Sequence, residues 1–134
     1  MRIIRNILAV IAGLVIGSVV NMSLIMVSGK IIPPPVGVDT QTTEGLLEGM
    51  HLFEPKHFIF PFLAHALGTF VGSWVATKLS VSKNIINPMI VGVLFLFGGI
   101  SMAVQLPAPL WFDVTDLALA YLPMAYFGYI LGKK

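Results

Sequence analysis

The 134-residue chain has no cysteine, which excludes disulfide frameworks, thiolate nucleophiles and cysteine zinc sites. Charge is almost as scarce. Only 10% of the residues are Asp, Glu, Lys or Arg, where a soluble domain carries about 25%. Eight basic and six acidic residues leave a formal net charge of +2, too small a surplus for a nucleic-acid partner, and no basic block is interleaved with aromatic residues. The apolar runs lack period-two alternation and are too few to close a β-barrel. A Gly-rich phosphate loop, a Ser-His-Asp arrangement and a paired acid and base are all missing, so the chain does not read as an enzyme and implies no cofactor. What is abundant is apolar: 57% of the residues are hydrophobic. The composition predicts an all-α integral membrane protein.

The gaps between charges define the spans, because a charge at the bilayer centre costs about 2.5–3.5 kcal/mol and a helix needs roughly 20 apolar residues to cross. Residues 6–29, 57–77 and 84–112 are uncharged runs of 24, 21 and 29. The fourth run, 117–132, holds 16, so its helix must reach back through Asp116 and Asp113 toward the headgroups. Pro61 and Pro88 sit near helix starts, where proline is tolerated. The prediction is a single domain with four spans at about 5–28, 57–79, 86–105 and 112–132. The first run is longer than a signal-peptide core and lacks an Ala-x-Ala site after Val27, so it reads as an uncleaved span.

Arg2, Arg5, Lys78, Lys83, Lys133 and Lys134 fall on one side of this alternating path, and only Lys30 and Lys56 on the other. The positive-inside rule then puts both termini in the cytoplasm. All six acidic residues lie on the opposite side.

Residues 30–56 form the one long connection. Pro33-Pro34-Pro35 predicts an extended strut. Thr43 can then cap a short amphipathic outer helix at about 43–53, with Leu46, Leu47, Met50 and Phe53 on one face and Glu44 and Glu48 on the other. A surface loop is the alternative, since Gly45 and Gly49 weaken a helix.

Small residues repeat every fourth position in the second span, at Ala64, Gly68, Gly72, Ala76 and Ser80. The first span carries Ala9, Gly13 and Gly17, and the fourth carries Ala120, Gly128 and Gly132. Such stripes let backbones approach closely enough for van der Waals packing to hold helices together in lipid. They predict packing within the bundle, with a homo-oligomer contact as the other use.

Pro33-Pro34-Pro35-x-Gly37-x-Asp39, the small-residue second span, and Pro109-Leu110-Trp111-Phe112 ahead of Leu122-Pro123 give the chain a resemblance to a family of small uncharacterised bacterial four-span membrane proteins. That resemblance implies a bacterial inner membrane. It brings no activity, substrate or catalytic residue with it.

His65 is the outstanding polar group, because ionisable residues inside spans face the bundle interior or water. Thr69, Ser73 and Thr77 continue its face at intervals of four. The stripe reads either as a narrow wet path with His65 as a proton relay, or as a dry seam in which His65 bonds to a neighbouring helix and the hydroxyls bond back to their own carbonyls. Asp113 and Asp116, three apart, either share a proton or cation on the histidine side, or serve as helix cap and dipole partner. His51, Glu54 and His57 approach metal-ligand spacing, but Pro55 interrupts the helix and the His-Glu-x-x-His pattern is absent, so no metal site is expected. Asn21 is expected to bond across helices or reach headgroups, and Tyr121 to find the carbonyl freed by Pro123.

Two function classes remain. The leading one is an accessory or structural membrane component, with the bilayer and a homo-oligomer or larger membrane complex as partners. The other is an oligomeric channel or transporter for protons or a small solute along the polar face of the second span.

Overall fold

The computed structural model describes residues 1–134, and it is all helical. The elements are α1 (Arg2–Ile31), α2 (Thr43–Gly49), two single 3-10 turns (Met50–Leu52 and Pro55–Phe58), α3 (Ile59–Leu79), α4 (Ile86–Gln105), α5 (Leu110–Leu119) and α6 (Leu122–Gly132). α1, α3 with its leading turn, α4 and the α5–α6 pair are each long and apolar enough to cross a membrane.

α3 occupies the centre, packed by α1, α4 and α6. Its buried residues, among them Ala64, Gly68, Thr69, Gly72, Ser73, Ala76 and Thr77, are small over more than half of the helix circumference, so three neighbours can approach its backbone at once. Toward α1 the fit is reciprocal. A Cβ on Gly68 would lie 2.8 Å from the Gly17 carbonyl oxygen, and one on Gly17 would lie 2.6 Å from the Gly68 carbonyl oxygen. Toward α6, Gly128 closes on Ser73 and the Phe70 carbonyl, and Gly132 closes on Thr77. α4 meets α6 where Gly92 faces Ala125. By contrast α1 buries only Ala9, Gly13 and Gly17, and its other face exposes Ile7, Ile11, Val15 and Val19 among others.

Three helix boundaries differ from the sequence reading. The last span is broken: α5 ends at Leu119 and α6 begins at Leu122, with Tyr121 at φ −112°, ψ −80° between them. Pro123 has no N–H and its ring collides with the carbonyl four residues back, which kinks or breaks a helix, and here the helix breaks. The chain instead closes α5 with the Ala120 N–H on the Asp116 carbonyl and restarts with the Ala125 N–H on the Tyr121 carbonyl. α1 runs longer, from Arg2 to Ile31. α2 is shorter and is capped by Thr42, not Thr43; the Thr42 hydroxyl accepts from the Gly45 N–H at 3.0 Å and donates to Asp39 at 3.2 Å. It passes at Gly49 into the 3-10 turn Met50–Leu52, and Val38 packs against that glycine, where a Cβ would lie 2.5 Å from Val38 Cγ1. Met50 is buried, whereas Leu47 is 47% exposed.

The two ends of the bundle differ chemically. At one end the start of α1, the α3–α4 connection and the end of α6 meet. Asn6 of α1 accepts there from the Val81 and Ser82 N–H groups at 3.0 and 3.4 Å and donates to the Ser82 hydroxyl at 3.1 Å. Lys83 donates to the Thr77 and Lys78 carbonyls at 2.9 and 2.7 Å, which satisfies the carbonyl end of α3 with a cation. At the other end Phe58, 4% exposed, gathers Phe53, Trp111 and Phe112 around it, with ring centroids 4.6–5.6 Å away. This aromatic knot ties the long connection to the start of α5.

Candidate functional site

Six residues into α3, about 9 Å along its axis, His65 meets Asp116, which lies six residues into α5. Its Nδ1 is 2.9 and 3.0 Å from the two carboxylate oxygens. A carboxylate accepts and does not donate, so Nδ1 carries the proton and bridges both oxygens. The Tyr121 hydroxyl donates to the same carboxylate at 3.3 Å, and the Tyr121 ring stacks on the imidazole with centroids 5.7 Å apart. Asp116 is 4% exposed and Tyr121 3%, so this carboxylate is shielded and meets its needs inside the protein.

The helix break is what assembles the group. With Ala120 closing α5 and Pro123 opening α6, Tyr121 falls outside both helices. Its side chain turns back along α5 to Asp116 and fills the space left by Gly99 of α4, where a Cβ would lie 2.5 Å from the tyrosine oxygen. Tyr121 therefore takes a side-chain acceptor, not the carbonyl freed by Pro123.

The other polar residues are distributed differently from the sequence reading. Thr69, Ser73 and Thr77 do continue from His65 along α3, but they are 1%, 0% and 0% exposed. The Thr69 hydroxyl donates to the His65 carbonyl at 2.8 Å, and that of Thr77 to the Ser73 carbonyl at 2.9 Å. Ser73 donates across the seam to the Ala125 carbonyl. Gly128 and Gly132 of α6 pack over Ser73 and Thr77, while Thr69, one turn from His65, borders the cavity beside it. Asp113 and Asp116 differ in setting: Asp116 turns inward to His65, while Asp113 stands part-exposed in the first turn of α5. Asp113 does not cap that helix, whose N-cap is Pro109. His57 is engaged through both nitrogens: Nδ1 accepts from the Glu54 N–H at 2.8 Å, and Nε2 donates to the Pro33 carbonyl at 3.1 Å. It fastens the proline strut to the start of α3.

Beside the His65 group lies a cavity of about 220 Å³ between α1, α3 and α4. Asn21 and Ser18 of α1 line it with His65, Phe95 and Tyr121. Ser18, Gly98 and Met102, also in its wall, are exposed. Ser18 and Gly98 lie well inside α1 and α4 and Met102 in the last turn of α4, so the cavity opens sideways between α1 and α4. Asn21 makes no hydrogen bond across helices. The sequence reading has it bond across helices or reach headgroups; it instead lines the gap, at the edge of the α1–α3 seam, where its Cβ faces Gly68.

The chain matches no protein-family model, and no curated protein or solved structure is significantly similar to it.

Proposed function

We propose that this protein is a non-conducting structural or accessory component of a bacterial inner membrane, crossing it four times with both termini in the cytoplasm. The observation that carries the reading is the seam beyond the cavity, where the Ser73 and Thr77 hydroxyls are each buried, bonded to a backbone carbonyl and covered by Gly128 and Gly132. A path for ions or protons would need those groups wet. Membrane insertion is supported by the exposed apolar side of α1, far more continuous apolar surface than a soluble monomer carries. Orientation is supported by the shared end of Arg5, Lys78 and Lys83, which the positive-inside rule assigns to the cytoplasm. α2 and the proline strut then lie on the outer face. The exposed apolar side of α1 meets lipid, a second copy or a larger membrane complex.

Proteoliposomes test the central point. Under an imposed potential, proton and potassium flux should equal that of protein-free vesicles. Flux above that level, lost in His65→Gln, would replace this reading with an oligomeric channel along α3. Orientation is tested by single cysteines at Thr40 and Asn84, both exposed, with an impermeant thiol reagent on intact cells. Thr40→Cys should label and Asn84→Cys should not.

A further inference from the structure

We infer that the cavity beside His65 is a binding site for the hydroxyl-bearing head of a membrane-dissolved amphiphile, entered from the bilayer between α1 and α4. The inference rests on the membrane placement proposed above and adds a ligand to it.

The argument begins with what the pocket leaves unpaired. Nδ1 of His65 is committed to Asp116, and Nε2 has no partner in the protein. No buried side-chain nitrogen or oxygen lacks a hydrogen bond, so the free Nε2 is an accessible atom of a residue that lines the cavity. In the neutral ring it presents a lone pair. Asn21 adds an amide with both donors and an acceptor, likewise without a protein partner, and Ser18 adds a hydroxyl at the mouth. With the ring neutral and its proton on Nδ1, the complementary ligand donates to Nε2 and exchanges hydrogen bonds with an amide. A hydroxyl does both.

Charge and size narrow the class. Asp116 is the formal negative charge next to the pocket, and no Lys or Arg lines it, so phosphate and carboxylate heads are disfavoured. An apolar cavity of about 150 Å³ accepts benzene, so about 220 Å³ admits a six-membered ring with its hydroxyls or the end of a lipid alcohol, but not a bulky glycosylated head. The Phe95 and Tyr121 rings supply apolar walls. The mouth faces what would be the hydrocarbon region, with Gly98 at its edge. A Cβ on Gly98 meets nothing within 4 Å, which leaves room for an acyl or isoprenoid tail to run out between the helices. Binding of this kind buries a donor that would otherwise be unpaired in lipid, where such groups are costly.

The full chain, labelled with ¹⁵N-histidine and held in lipid nanodiscs, is titrated with a decyl-substituted benzoquinol, with the corresponding benzoquinone, and with decanol. The His65 signal is assigned by its loss in His65→Gln. A saturable shift of the Nε2 resonance with quinol or decanol supports the site, and which of them binds tighter identifies a reduced quinone or a lipid alcohol as the source. The quinone accepts but cannot donate, so it should bind roughly tenfold more weakly than the quinol, the effect of one lost buried hydrogen bond. Asn21→Ala should weaken binding by a similar factor, and Gly98→Leu should close the mouth while leaving the melting temperature unchanged. Absence of a saturable shift with either hydroxyl compound overturns the inference, as does equal affinity for quinol and quinone, or full affinity in both variants. Flux in proteoliposomes would overturn the non-conducting reading without touching these results. Release of the protein from membranes by alkaline carbonate would remove the premise of both.

Discussion

The Cβ that Gly72 lacks would lie 2.6 Å from the carbonyl oxygen of Gly13, and the Cβ that Gly13 lacks would strike the carbonyl oxygen of Gly72. Repeated one turn away by Gly17 and Gly68, this makes the α1–α3 seam a backbone-to-backbone contact with no side chain to yield. Gly13→Leu and Gly72→Leu should each destabilise the bundle by about 1–3 kcal/mol or more through overpacking. Gly29→Leu is the control, since a Cβ there meets nothing within 4 Å. Thermal melting in mild detergent should show large losses for the first two and little change for the third.

His65 and Asp116 should behave as one unit. His65→Leu leaves the buried carboxylate with only the Tyr121 hydroxyl, and Asp116→Leu strands Nδ1–H; each should cost about 1–3 kcal/mol as an unsatisfied polar group. Replacing both by leucine removes the need along with the partners, so the double variant should lose less than the sum of the singles. Chemical unfolding of the four proteins closes the cycle. Strict additivity would show that the 2.9 Å contact carries no coupling.

The spans are legible because the cost of charge in hydrocarbon is large and local: the uncharged runs 57–77 and 84–112, read with Pro61 and Pro88 near helix starts, put the second and third at 57–79 and 86–105, and α3 and α4 run Ile59–Leu79 and Ile86–Gln105. The break at Tyr121 is not legible in the same way, although Pro123 stands two residues on, because proline within membrane helices is often absorbed as a kink. That ambiguity hides the site. Periodicity says which residues share a face, and it puts His65, Thr69, Ser73 and Thr77 on one. It does not say which helix lies against that face, and the rotation that turns Asp116 toward His65, 51 residues away, depends on where α5 ends. Asn21 and Asn6 are similarly opaque, since a polar residue near a span end looks the same whether it meets headgroups, a cavity or a loop.

Asn6 supplies the clearest case of a role invisible in the sequence. Its side chain holds the α3–α4 connection by accepting from two N–H groups and donating to the Ser82 hydroxyl. Asn6→Ala should cost about 1–2 kcal/mol, within the range for a lost cap or buried hydrogen-bond partner. Asn6→Asp keeps the acceptor and loses the donor, so it should fall between. Hydrogen exchange should report the loss first at the Val81 and Ser82 amides, which open when their acceptor is removed.

The three hydroxyls of the α3 seam make different uses of the same chemistry, and their replacements should separate accordingly. Thr69 and Thr77 donate to carbonyls four residues back on their own helix, each of which already serves the helix, so these bonds add little to stability. Thr69→Val and Thr77→Val preserve the branched shape and should change unfolding free energy by less than about 1 kcal/mol, the small scale typical of polar contacts in membranes. Ser73 instead donates to the Ala125 carbonyl of α6, close to the restart after the break, where Gly128 admits no larger neighbour. Ser73→Ala removes an interhelical bond and should cost about 0.6–1.7 kcal/mol, while Ser73→Val adds bulk against Gly128 and should cost more. Unfolding in mixed detergent micelles should show the smallest losses for Thr69→Val and Thr77→Val, a larger one for Ser73→Ala, and the largest for Ser73→Val. A large loss for Thr77→Val with little for Ser73→Ala would mean that the seam is organised around the hydroxyl of Thr77, with α6 held by some contact other than Ser73.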